Sequence, residues 1–132
     1  MLSNEQTLKI LEHMLETLPN HWAKNSYAFD KDGGVESPEA SSAYNWCLYG
    51  KMRHSYMVIM ESLLDFDGNR DQETLEDILS SGIPVTWQKN LGNKLNRADQ
   101  LVEYNDSITT KEEDVIAVIT TAIDYISEEY NH

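Results

Sequence analysis

Apolar positions along the chain fall into helical stripes separated by turn chemistry. The longest stripe runs from Thr110 to Ile126, where Val115, Ile119, Ala122 and Ile126 lie on one line. Ile116 and Ile123 widen it on one side, Val118 and Tyr125 on the other. An apolar arc of about half the circumference is wider than a surface helix needs, and predicts a central helix packed by several neighbours. Thr110 and Glu113 spell a capping box, and Glu112 and Asp114 place acid where the helix dipole favours it. Near the start of the chain, Leu8, Leu11, Leu15 and Leu18 form a second stripe with Met14 beside it, and Glu5, Lys9, Glu12 and Glu16 take the opposite face. Ser3 or Asn4 caps this helix and Pro19-Asn20 ends it. His13 falls on the polar face and reads as a solvated side chain.

Between these helices the pattern changes. Trp22, Tyr27, Phe29 and Val35 surround Asp30-Lys31-Asp32-Gly33-Gly34, which predicts a short β-hairpin or ordered loop near residues 22–36. Ser37-Pro38 has the form of a helix start. Ala40, Ala43, Cys47 and Gly50 then follow at helical spacing, a seam of small side chains expected to let the central helix approach closely. Ser55 to Leu64 continues helically. Glu73 to Ser80 is a short helix closed by Gly82 and Pro84, and Val85 to Ala98 is another, carrying Lys89, Lys94 and Arg97. Leu101-Val102 leads into Tyr104-Asn105-Asp106-Ser107, read as a turn fixing the entry to the last helix. The expected fold is mainly α: one domain over residues 1–132, a compact bundle of five to six helices with a short hairpin.

Two motifs carry a resemblance. Trp46-Cys47-x-x-Gly50, followed much later by Asn105-Asp106 and a helix opening Glu113-Asp114-Val115-Ile116, resembles a family of small uncharacterised proteins of bacteria and their phages. Such proteins carry a WCxxGA-type helix and an ND turn before the final helix. This chain has Lys51 where the family usually has alanine. The resemblance implies a compact, mainly helical fold and carries no activity with it.

Charge narrows the function. With 23 acidic against 10 basic residues the formal net charge is −13, which speaks against general nucleic-acid binding and against an anionic membrane surface. The single cysteine allows no internal disulfide and suits a reducing, cytoplasmic setting. The N-terminal segment has no basic leader, and no apolar run reaches membrane-spanning length.

The chemistry-bearing residues weigh as follows. Asp65, Asp67, Asn69, Asp71 and Glu76 occupy oxygen-donor positions of a calcium loop, but Arg70 stands where the sharp turn needs glycine, so no metal is expected. Cys47 lies mid-seam and reads as a small buried hydrophobe rather than a nucleophile. No cofactor motif is present and no enzyme is expected. The expected function is a non-catalytic acidic interaction protein, a phage-type inhibitor of a basic, nucleic-acid-binding host or defence protein. Asp65, Asp67, Asp71, Glu73 and Asp77 would steer that partner, with Tyr27 and Phe29 as anchors. The alternative is a binder that sequesters an anionic, nucleotide-like ligand on Lys89, Lys94 and Arg97.

Overall fold

The computed structural model describes residues 2–64, 66, 70–89 and 96–130. Among them the order is α1 (Asn4–Thr17), β1 (Ala28–Asp30), β2 (Ala43–Trp46), α2 (Leu48–Met60), α3 (Arg70–Ser80), α4 (Val85–Lys89), α5 (Arg97–Asp106) and α6 (Glu112–Tyr130). This is the expected mainly α fold with a small antiparallel sheet.

Helix α1 begins at a complete capping box. Ser3 Oγ accepts from Gln6 N at 3.0 Å and Gln6 Oε1 accepts from Ser3 N at 2.9 Å. Its inward face is rotated from the leucine stripe: Ile10, Leu11, Met14 and Leu18 are fully buried, while Leu8 and Leu15 only flank the core. The most extensive helix packing joins α1 to α6, and α6 also packs on α3. Val115, Val118, Ile119, Ala122 and Ile126 are all buried, as the pattern of the last helix requires. The predicted box at its start is shifted by one residue. Asp114 Oδ2 accepts from Lys111 N at 2.8 Å, and Thr110 is buried beside a cleft.

The largest departure is at residues 37–47. No helix forms from Pro38. Ala40 N donates to Ser37 O and Ala43 N to Ala40 O, making turns, and Trp46 Nε1 returns to Pro38 O at 2.9 Å. Residues 43–46 then pair with β1 in the register Ala28↔Trp46, Phe29↔Asn45 and Asp30↔Ala43, with an irregularity between Phe29 and Asp30. Pairing of a run that carries β-favouring Tyr44 and Trp46 outweighs the proline start signal. The Asp30–Gly34 turn exists, with Phe29 bridging Val35, but the strand partner lies beyond it. Helix α2 therefore starts at Leu48, and Cys47 is its N-cap, Sγ accepting from Gly50 N at 3.3 Å. The small-residue seam does not exist as a helix face. Gly50 abuts the Tyr27 backbone, not α6.

Two further boundaries move. Helix α2 stops at Met60 because Glu61 takes a left-handed conformation, φ +61°. Residues 97–106 form a separate helix capped by Asn96, so Tyr104, Asn105 and Asp106 are its last turn rather than a free turn.

Candidate functional site

Acids and bases are sorted differently by this fold. The described bases are largely engaged with the protein itself. Arg53 Nε meets Glu39 at 3.3 Å and its guanidinium lies over Phe66. Lys24 Nζ donates to Ser107 O at 2.7 Å, Arg97 faces Asp77 at 3.5 Å, and Lys9 faces Glu5 at 3.7 Å. Helix α6 contains no lysine or arginine, and among the described residues none of its acids is in an ion pair. Glu113, Asp124 and Glu128 are exposed there, as are Glu5, Glu12 and Glu16 of α1, the helix packed on it.

The residues singled out in the sequence are scattered. Asp65, Asp67 and Lys94 lie outside the described residues, as does the Lys89 side chain. Asp71 is buried and accepts from Tyr56 Oη at 2.6 Å, so it is not presented to a partner. Glu73 is exposed, and Asp77 is exposed with Arg97 as its neighbour. Tyr27 is 46% exposed and packs against Tyr49, with ring centroids 5.1 Å apart; Phe29 is half-buried. Glu76 is buried and accepts from Gln72 Nε2 at 2.9 Å. Among the described residues no group of three or more acids, histidines or cysteines is arranged to hold a metal ion.

A second cluster went unread in the sequence. Lys51 is 1% exposed, and no carboxylate pairs with it among the described residues. Its Nζ lies 3.7 Å from the centroid of the Trp46 ring and 3.2 Å from His54 Nδ1. His54 stacks on the other aromatic partner of this group, Trp46, at 4.7 Å, and His13 lies 5.7 Å from His54 with Nδ1 2.7 Å from Ser55 Oγ. His13 is thus half-buried, not solvated. A buried ammonium held only by a π face and a neutral imidazole is costly, and such perturbed groups concentrate at functional sites. Lys51 also occupies the position where the resembled family has alanine.

Asn105 is a third centre. It is fully buried, and Oδ1 accepts from Trp22 Nε1 at 2.6 Å and from Leu48 N at 2.9 Å. Its Nδ2 donates to Ala23 O and to Asp106 Oδ1, both at 3.0 Å, and Asp106 Oδ1 also accepts from Asn25 N. One amide thereby ties the loop after α1, the start of α2 and the end of α5. The last open feature is a cleft of about 330 Å³ between α4, α5 and the start of α6, lined by Trp87, Tyr104, Thr86, Thr109, Thr110 and Asp114.

Over residues 2–125 the sequence matches DUF6197, a family of unknown function. The chain belongs to that family. All three centres of this DUF6197 protein lie within the matched span. No curated protein and no solved structure matches it. No helix among the described residues is long and apolar enough to cross a membrane.

The Lys51 cluster gives this DUF6197 protein a defined pH response. Burial, then the charges of Lys51 and His13, lower His54 from 6.5 to about 4. His13 is lowered as well, chiefly by burial. The unfolded chain binds more protons between those values, so stability is lost as pH falls from 6.5 towards 4. Burial lowers Lys51 from 10.5 to about 8, so stability rises with pH above 8. Cys47 opposes this from pH 9 upward: burial raises its thiol from 9 to about 11, and the unfolded state sheds that proton first. The Lys51 gain therefore stands clear only between pH 8 and 9, with a rise of about 1 kcal/mol. Urea unfolding at a series of pH values should show that rise in the wild type and none in Lys51→Met. The variant should also lose less stability in acid, because Lys51 is one cause of the lowered His54. An unchanged rise in Lys51→Met would place the titration elsewhere.

Proposed function

We propose that the protein is a non-catalytic interaction protein whose acidic face draws in a basic macromolecule. In its sharper form it is a cytoplasmic, phage-type inhibitor that occupies the basic site of a nucleic-acid-binding host or defence protein. The observation that carries the reading is the acid of α6, in no ion pair among the described residues, with exposed Glu12 and Glu16 on the packed helix α1, set against bases that are spent on internal contacts. The field of such a surface reaches over about a Debye length, ~8 Å at physiological salt, and acts mainly on association rate. Anchoring falls to the sheet region, where Tyr27, Tyr44 and Val35 are 46%, 41% and 75% exposed. Aromatic anchors of this kind control dissociation. Steering is thereby moved from the Asp65–Asp77 stretch, where Asp71 is buried, to the outward acids of α1 and α6.

The test begins with affinity capture on the wild type and on a variant combining Glu12→Gln, Glu16→Gln, Asp124→Asn and Glu128→Gln. All four positions are exposed, so the fold should persist. Against the captured partner, surface plasmon resonance should show association slowed about tenfold at low salt, with a flatter salt dependence. Tyr27→Ala should leave association intact and speed dissociation. Association that ignores the four neutralisations would reduce this face to a solvated surface.

A further inference from the structure

We infer that the Trp87–Tyr104 cleft is a binding site for a small organic ammonium ion, of the primary-amine class with an apolar body. The two rings meet at 80° with centroids 5.1 Å apart, so they form a corner rather than a flat wall. A corner of this kind offers an amine's apolar part a surface and its cation a π system. Pro84, Thr86, Thr109 and Thr110 line the remainder, and a threonine hydroxyl can accept an ammonium N–H bond.

The charge of the cleft decides the ligand class. Among the described residues that line it, Asp114 is the one carboxylate and none is a lysine or arginine. Asp114 spends one oxygen on the Lys111 backbone N–H, at 2.8 Å. Among the described residues no basic side chain pairs with it. The carboxylate thus keeps acceptor capacity in an aromatic-lined recess. Asp114 would repel an anion, and a wholly neutral ligand would gain nothing from its charge. The burial of Tyr104 and the nearby charge of Asp114 both raise its phenol, which therefore stays protonated at neutral pH. At about 330 Å³ the cleft is at the small end for ligand sites, suited to a compact amine.

Phenethylammonium is the probe, and 2-phenylethanol is its uncharged counterpart of nearly equal shape. Isothermal titration and amide NMR shifts at neutral pH should show millimolar or tighter binding of the ammonium, with shifts centred on Trp87, Tyr104 and Asp114. The alcohol should bind at least about tenfold more weakly. Asp114→Asn keeps the acceptor for Lys111 N but removes the charge, and should weaken ammonium binding by a similar factor. Thr86 is exposed, so Thr86→Arg should fold normally while its guanidinium competes for Asp114 and abolishes binding. The inference is overturned if phenethylammonium fails to bind, if the alcohol binds as well, or if ammonium binding is unaltered in Thr86→Arg.

Discussion

Asn105→Ala is expected to lower the melting temperature by about 10–20 °C, an effect large for one neutral side chain. The reason is what it leaves behind. Leu48 N–H and Trp22 Nε1–H both donate to Asn105 Oδ1, and Ala23 O and Asp106 both receive from its Nδ2. Asn105 and Leu48 are fully buried, and Trp22, Ala23 and Asp106 are half-buried, so water replaces the lost amide poorly. Each stranded donor costs roughly 1–3 kcal/mol, and two give about 4 kcal/mol. That is a large share of the roughly 5–15 kcal/mol that holds a domain together. Asn105→Asp should be no milder. It keeps an acceptor for both donors but sets a second carboxylate against Asp106 and loses the bond to Ala23 O. Differential scanning calorimetry on both variants decides it, and a loss under about 1 kcal/mol for Asn105→Ala would show that the network relaxes without its centre.

Gly50→Ala should destabilise by about 2 kcal/mol or more, although alanine normally improves a helix by roughly 1 kcal/mol over glycine. A Cβ at Gly50 would sit 2.0 Å from the Tyr27 carbonyl oxygen and 2.8 Å from its carbon. Both are backbone atoms, and that carbonyl also accepts from Cys47 N at 3.2 Å, so it cannot retreat without losing that bond. Gly33→Ala is the control. Gly33 has φ +88° but nothing within 4 Å of a Cβ, so it should show only the smaller cost of a left-handed alanine. Urea midpoints for the two variants should differ clearly, Gly50→Ala being the lower. Equal midpoints would mean that β1 and α2 slide apart at little cost.

The sequence was most legible where local pattern and tertiary packing agree. Val115, Ile119, Ala122 and Ile126 read as one buried line and are one. It was least legible where a partner distant in sequence overrides a local signal. Ser37-Pro38 is a sound helix start in isolation, yet residues 43–46 have β1 to pair with. Asn105-Asp106 reads as turn chemistry because nothing nearby announces that its partners are Trp22, Ala23 and Leu48. Lys51 was visible as a departure from the resembled motif, but its burial over Trp46 follows from β2, which the local pattern did not reveal. Cleft residues Trp87, Tyr104 and Asp114 are spread over three segments, and no spacing rule joins them.

The packing of α1 on α6 also bears on how the protein comes into being. Ile10, Leu11, Met14 and Leu18 leave the ribosome about a hundred residues before their main partners on α6. At a synthesis rate of about 5–20 residues per second, the first helix waits roughly 5–20 s for the last. Through that interval its apolar face has only incomplete neighbours, notably α2. Until α6 has been made, the apolar face of α1 is open to self-association.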